Sequence, residues 1–310
     1  MLTRHSSGSE PGRRDDPMGS VADSLVNALR AGEPSLATGF AGIDRVTGGL
    51  KPGDLVLVAG YPGVGKTTLA TSLATNIAVK QMKPVALFSP QTAAGALCDR
   101  FLSALAPVDS WRLRSGLLSR QDRARLAQAI SRFSRSPICV SDKNLSGVDD
   151  LASLVQRAAS QPALIILDGM QSLIATGADQ PGEAEQLEFL SRGLKLAARE
   201  MRVPILATCQ VPIDQADPDQ WRPGPPCLSQ LGTLDEHSDV IILLHREDHQ
   251  LWRIGRLESP GLVGRGELIV AKNRSGPTGR FDLTFDSNSL RFQDWSAPRH
   301  PSPTHSVCGT

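Results

Sequence analysis

A single thirteen-residue stretch constrains this chain more than any other: Val56-Leu57-Val58-Ala59-Gly60-Tyr61-Pro62-Gly63-Val64-Gly65-Lys66-Thr67-Thr68. An apolar, β-rich run leads into Gly60, and Gly60, Gly65, Lys66 and Thr67 fill the spacing G-x-x-x-x-G-K-[ST]. The stretch therefore reads as strand, phosphate loop and helix. Glycines at these places let backbone N–H groups turn inward around phosphate oxygens. Pro62, Gly63 and Val64 complete the loop, Lys66 would set its ammonium on the β- and γ-phosphates, and Thr67 would offer a hydroxyl to Mg²⁺. A helical run from Thr68 to Val79 aims the positive end of its dipole at the anion. A chance glycine-rich turn would lack both the strand before it and the helix after it. The expected ligand is a nucleoside triphosphate such as ATP, with Mg²⁺.

The remaining composition narrows the setting. At 310 residues with 40% hydrophobic residues, the chain is long enough for one sizeable α/β core with tails, because single cores seldom grow past roughly 250–300 residues. There is no run of about 18 apolar residues. The first twenty residues carry Arg4, Glu10, Arg13, Arg14, Asp15 and Asp16 and no apolar core segment, so neither a membrane span nor a secretion signal is expected. A cytoplasmic protein is the expectation. Five cysteines, Cys98, Cys139, Cys209, Cys227 and Cys308, are scattered without metal-ligand spacing and read as reduced packing residues. A net charge of +1 gives no whole-protein field for nucleic acid, so any such binding must come from a local patch or channel.

Along the chain, residues 1–19 are rich in Ser, Gly, Pro and mixed charge and read as a disordered tail. Residues 20–32 read as a short helix capped by Ser20, with Val21, Leu25, Val26 and Leu29 on one face and Gly32 at its end. That face could pack on its own domain or on a neighbouring subunit. From Leu36 a turn-rich lead runs through Thr38-Gly39-Phe40 and Thr47-Gly48-Gly49-Leu50 into the first strand. Strands are then expected at Val85–Phe88, Ile138–Ser141, Ala163–Asp168, Val203–Cys209 and Val240–Leu244, alternating with helices at Ala94–Leu105, Gln121–Phe133, Val148–Ala159 and Glu183–Met201. The fold class is α/β, a mostly parallel, doubly wound sheet. Gly266–Arg274, Phe281–Phe285 and Leu290–Phe292 are β-type runs joined by hairpin turn chemistry, which predicts an antiparallel extension at the carboxyl-terminal end. Residues 296–310 read as a second disordered tail.

Ligands collect at the carboxyl ends of strands in such sheets. Ala163-Leu164-Ile165-Ile166-Leu167-Asp168 ends in a carboxylate there, so Asp168 is the candidate Mg²⁺-side acid. Leu206-Ala207-Thr208-Cys209-Gln210 ends in an amide that could position the γ-phosphate end or the attacking water; a plain surface glutamine is the simpler alternative. Arg112, Arg114, Arg120, Arg123, Arg125 and Arg132 gather around one helical region beside Trp111, a solvated face in the simple reading and a strand platform in the sharper one.

The phosphate loop, together with Thr38-Gly39-Phe40, Thr47-Gly48-Gly49-Leu50, Leu190-Ser191-Arg192-Gly193-Leu194-Lys195, Val203-Pro204 and Ala271-Lys272-Asn273-Arg274-Ser275-Gly276-Pro277-Thr278-Gly279, resembles the RecA-type motor domain of the bacterial replicative helicase (DnaB) family. The resemblance covers residues 36–295, a RecA-like P-loop NTPase domain. It implies a homo-oligomeric ring, usually of six subunits, with ATP between neighbours and single-stranded DNA in the central channel. It further implies that Lys272 and Arg274 reach into the next subunit's site as an arginine finger does.

Several places depart from the family. Ser89-Pro90-Gln91-Thr92 stands where the family has Ser-Leu-Glu-Met, whose glutamate activates the attacking water. Gln91 cannot accept a proton. The stretch Leu228-Ser229-Gln230-Leu231-Gly232-Thr233-Leu234 is shorter than the family's DNA-gripping loop and lacks its arginine. The family's amino-terminal domain is replaced by the tail and the helix of residues 20–32, which stands in the place of the family's linker helix. Two functions are thus expected: an ATP-hydrolysing motor acting on single-stranded DNA, or a nucleotide-gated assembly or regulatory protein that turns ATP over poorly; a RecA-like clock or recombination ATPase shares the phosphate loop but fits the Gly276-Pro277-Thr278-Gly279 ending less well.

Overall fold

The computed structural model describes residues 35–295 except 144, 146, 157–159, 174–181, 212–221, 223–231, 233 and 254–263. Both expected tails, the helix of residues 20–32, the last three residues of the run ending at Ala159 and most of the Leu228–Leu234 stretch lie outside the described residues.

In chain order the elements are α1 (Ala41–Thr47), β1 (Leu55–Gly60), α2 (Lys66–Ala74), β2 (Val85–Phe88), α3 (Ala94–Leu105), α4 (Ser110–Ser115), α5 (Arg120–Ser134), β3 (Ile138–Ser141), α6 (Val148–Gln156), β4 (Leu164–Leu167), α7 (Glu183–Met201), β5 (Ile205–Gln210), α8 (Leu234–His237), β6 (Val240–His245), α9 (Glu247–Arg253), β7 (Arg265–Asn273), β8 (Gly279–Asp286) and β9 (Arg291–Asp294). The sheet has nine strands in the order β3-β2-β4-β5-β1-β6-β7-β8-β9. Neighbours from β3 to β6 pair in parallel, and β6 through β9 pair antiparallel. The expected parallel sheet with an antiparallel extension is thus observed.

Alternation along β1 divides the core. Val56 and Val58 point into one cluster with Leu69, Leu73 and Ile77 of the helical segment after the phosphate loop. Leu55, Leu57 and Ala59 point into another with Leu194 and Ala198 of α7. All six β1 residues are buried, as a strand covered on both faces requires. A smaller cluster around Ala106, Val108, Leu126 and Ala129 holds α5 to the end of α3. No helix among the described residues is long and apolar enough to cross a membrane.

Three local features differ from the sequence pattern. The lead into β1 contains a true helix, α1, anchored by Asp44, whose carboxylate accepts from the Thr38 and Gly39 N–H groups at 2.8 and 3.1 Å. Gly48 closes that helix with φ +74°, a backbone conformation costly for any residue with a Cβ. The helix after the phosphate loop widens into a π-helix over Thr75–Lys80. Apolar periodicity cannot distinguish the two, because both bury one continuous face. Finally, α4 and α9, each shorter than two full turns, fall below what periodicity resolves.

Candidate nucleotide site

Strand order decides which strand ends meet. Because β1 lies between β5 and β6, with β4 next to β5, the carboxyl ends of β1, β5, β4 and β2 open side by side. There Pro62, Gly63, Lys66, Thr67, Gln91, Thr92, Asp168, Gly169, Gln171, Thr208 and Gln210 line one open cleft of about 190 Å³. Sequence reading draws Pro62, Gly63, Lys66, Thr67, Gln91, Asp168 and Gln210 from separate stretches, and the fold brings them together.

The loop's geometry is that of a phosphate cradle. Gly63 and Gly65 have φ of +76° and +108°, in the left-handed region that favours glycine. A Cβ on Gly63 would come within 2.7 Å of Nε2 of His249, and one on Gly60 within 2.8 Å of the Leu244 carbonyl oxygen. Hence α9 and the end of β6 are pressed against the loop, and only bare backbone fits. On the far side, a Cβ on Gly65 would meet the Phe292 ring at 3.0 Å, and the Phe292 N–H donates to Ser72 Oγ at 3.0 Å. The carboxyl-terminal β extension therefore buttresses the phosphate-binding helix.

Lys66 donates from Nζ to the Gly60 and Tyr61 carbonyls at 2.9 and 3.0 Å. Burial pulls its pKa down to about 8, opposed by Cys209 and Asp168. Burial likewise pushes the neighbouring Cys209 thiol up to about 12, so that cysteine is an inert packing residue, as expected.

Asp168 is buried and fully engaged. Its Oδ2 accepts from Ser89 Oγ at 3.0 Å and its Oδ1 from Thr208 Oγ1 at 2.8 Å. The same Thr208 oxygen accepts from the Gly169 N–H at 2.7 Å. Three adjacent strand ends thus fix one carboxylate. Arg100 on α3 donates to Thr68 Oγ1 at 3.3 Å; burial lowers its pKa and the Asp168 charge opposes that. Gln91 lies over Gly169, its Oε1 3.3 Å from where a Cβ there would stand. Gln171 donates to the Gln210 carbonyl at 3.2 Å, and the Gln210 side chain is exposed.

Sequence reading misses Ser89, Thr208, Arg100 and Gln171. A signal existed for Thr208, the one hydroxyl in an otherwise apolar strand segment from Ile205 to Cys209. Arg100 follows Leu97, on the inward face of α3, by three residues, and only the packing of α3 on α2 brings it to the phosphate-binding helix at Thr68.

Lys272 and Arg274 stand elsewhere. Lys272 is paired with Ile241 of β6, which is level with Leu57 of β1. That is three residues before Gly60, or about 10 Å down the strand, and two strands across. A register shift between Ile241 and Ile242 opposes β7 with one extra residue, Ala271, and such a bulge re-aims the side chains after it. Lys272 pairs with Asp235 of α8 at 2.9 Å and also donates to its carbonyl. Arg274 donates to the Glu236 carbonyl and lies 3.9 Å from Asp239. Asp239 is gripped further by Lys195 and by the Leu55 N–H, at 2.5 and 2.8 Å, and Lys195 also donates to the Gly53 carbonyl at 2.8 Å. The Ser-Arg-x-Leu-Lys stretch therefore has a structural job: its lysine ties α7 to the starts of β1 and β6.

The donor set fits Mg²⁺ bound with phosphates. A hydroxyl and one carboxylate are hard oxygen ligands, and Mg²⁺ bound to nucleotide uses one or two carboxylates rather than an all-protein cage.

The model of the DnaB-like helicase C-terminal domain matches residues 35–294. The replicative DNA helicase DnaB of Geobacillus stearothermophilus is 31% identical over 259 residues, 83% of this chain and 56% of the relative. The replicative DNA helicase DnaC of Bacillus subtilis is likewise 31% identical over 259 residues, with the same coverage, 83% and 56%. This chain thus spans somewhat more than half the length of these curated relatives. Among solved structures, a DnaB-like replicative helicase, described with its interactions with primase, superposes with a TM-score of 0.77 at 25% identity, covering 93% of this chain and 68% of that one. A second solved structure, an ATPase domain by itself, gives 0.78 at 25% identity, covering 92% and 100%.

Proposed function

The chain belongs to the DnaB-like helicase C-terminal domain family, and from that premise we propose that it is a Mg²⁺-dependent ATPase motor domain. Its sites are completed between subunits of a ring, six in the usual family arrangement, and it acts on single-stranded DNA. One observation carries this reading: the Lys272–Arg274 pair lies two strands across from the phosphate loop's own strand and about 10 Å back toward that strand's amino end. Both side chains are moreover held by α8 and Asp239 on that side, which supports a role toward a nucleotide on another copy.

Within a site, the Gly63–Lys66 backbone cradles the β-phosphate and Lys66 exchanges its two carbonyl partners for phosphate oxygens. Thr67 and Asp168 would hold Mg²⁺, which would supply positive charge to offset that of the phosphates. Ser89 and Thr208 keep Asp168 aimed. Gln91 and Gln210 orient water at the γ-phosphate end, and the neighbour's Lys272 and Arg274 stabilise charge there after releasing α8.

The cleft favours slow turnover. Asp168 is the only carboxylate lining it among the described residues, and it is held by Ser89 and Thr208 on the Mg²⁺ side rather than free to take a proton from water. An amide at Gln91 holds water without taking its proton. This observation supports the second reading, a nucleotide-gated assembly protein with weak hydrolysis.

Mixing subunits tests the proposal. Lys66→Ala and Arg274→Ala proteins are each expected to be inactive in phosphate release, while their mixture recovers part of the parental rate through sites that pair an intact loop with an intact finger. A protein that stays monomeric by light scattering in saturating ATP and Mg²⁺ refutes the interface assignment.

A further inference from the structure

The 27 residues from Asp109 to Arg135 hold seven arginines against two aspartates, with no lysine or glutamate, in a chain whose net charge is +1. Both aspartates are engaged in local structure. Asp109 caps α4, accepting from the Trp111 and Arg112 N–H groups at 2.8 and 3.2 Å. Asp122 closes the capping box of α5 with Ser119 and pairs with Arg112 at 3.2 Å. The other arginines, Arg114, Arg120, Arg123, Arg125, Arg132 and Arg135, are exposed, and among the described residues none of them forms an ion pair.

Two further features distinguish this surface from a merely solvated one. Arg125, Gln128 and Arg132 run along one edge of α5 and line a cleft whose other wall is Leu105-Ala106-Pro107. Trp111, Leu117 and Ile130 are 59%, 60% and 50% exposed, so an indole and two aliphatic side chains lie open among the cations. Unpaired guanidinium groups attract phosphates, and an exposed indole offers a stacking face to any unpaired base. A duplex hides its base faces, whereas an unpaired strand presents a phosphate and a base face at every nucleotide, matching cations and an indole together.

We propose that the α4–α5 surface binds single-stranded nucleic acid, with Arg125 and Arg132 on the phosphates and Trp111 stacked on a base. This site uses no residue of the nucleotide cleft and none of the Leu228–Leu234 stretch, so it stands independently of the ATPase reading.

Fluorescence anisotropy of a labelled thymidine oligonucleotide of about 20 residues, titrated with the full chain over a salt series without nucleotide, provides the test. Arg125→Gln with Arg132→Gln is expected to lower the log–log salt slope by about 1.4, at roughly 0.7 for each single-strand phosphate contact. Trp111→Ala is expected to weaken binding about fivefold or more with the slope unchanged. Circular dichroism melts and nucleotide affinity should match the parent in all these variants, which separates this outcome from any failure of the ATPase reading. A parent that does not bind at low salt overturns the proposal, as do variants that bind like the parent. Equal displacement by polyglutamate, with no effect of Trp111→Ala, makes the surface a site for an acidic protein and also overturns it. So does a change in light-scattering mass without a change in DNA affinity, which would mark a contact between subunits.

Discussion

Replacing Thr208 by valine removes one oxygen and almost no volume, so its effect isolates the hydroxyl that joins β5 to Asp168. That oxygen donates to Asp168 Oδ1 at 2.8 Å and accepts from the Gly169 N–H at 2.7 Å, and Thr208 is 1% exposed. Valine leaves both partners in place and satisfies neither. A buried group stripped of its partner costs about 1–3 kcal/mol, with charged groups at the upper end. Asp168 is buried and keeps only the Ser89 hydrogen bond, while Gly169 is partly exposed and can recruit water. The sum is about 3 kcal/mol, dominated by the carboxylate. For a domain of this size that lowers Tm by about 6–12 °C, at 2–4 °C per kcal/mol. Differential scanning calorimetry of parent, Thr208→Val and Thr208→Ser measures it, since serine keeps the oxygen and should recover most of the loss. Mg²⁺ should also act at higher concentration on the valine variant, because Asp168 is no longer aimed from the β5 side. A valine variant that melts within a degree of the parent, with an unchanged Mg²⁺ titration, refutes the assignment of Thr208 as the carboxylate's anchor.

Lys66 gives a pH prediction. Its folded pKa is about 8, below the ordinary 10.5, and phosphate contact restores the charged form, so nucleotide binding takes up a proton above pH 8. Affinity should fall about tenfold from pH 7 to pH 9, the ratio set by one pH unit above the pKa, and calorimetry in two buffers should register the uptake; a Lys66→Arg protein should lose this dependence. In the absence of nucleotide the sign for stability is the reverse: the unfolded chain binds the extra proton between pH 8 and 10.5, so Lys66 destabilises the fold least at high pH. Gln91→Glu should raise kcat with little change in affinity, by up to the roughly 10²–10⁴ expected of a general base; fast parental turnover with no gain from the glutamate would show that another group serves as base. Lys195→Met should cost about 3 kcal/mol in urea unfolding, the low end for breaking a buried ion pair, because the Leu55 N–H still donates to Asp239; an unchanged midpoint would mean that the Lys195–Asp239 pair contributes nothing net.

Much of the fold was legible in the residues because it is written in short, contiguous patterns. Val85–Phe88, Ile138–Ser141, Ala94–Leu105 and Glu183–Met201 are observed with the expected bounds, since apolar periodicity reports burial on one face or two. The Asp-Ser-Asn-Ser turn forms as its chemistry suggests, Asp286 accepting from the Asn288 and Ser289 N–H groups at 3.1 and 3.2 Å. Patterns fail where two conformations bury the same residues, as in the π-helical Thr75–Lys80, or where an element is too short to repeat, as in α1, α4 and α9.

By itself the sequence determined the phosphate loop and the alternation of strand and helix, because each of these depends on the spacing of residues close together along the chain. Only the tertiary structure decided how they are used. Strand order places Ser89, Asp168 and Thr208, separated by 79 and 40 residues, within hydrogen-bonding distance, and the packing of α3 on α2 brings Arg100 to Thr68. Sheet register sets Lys272 and Arg274 two strands across from their own loop's strand and about 10 Å back toward its amino end, where α8 holds them. Such relations arise from pairing between distant strands, and no local pattern encodes a register between segments that meet only when the core is assembled.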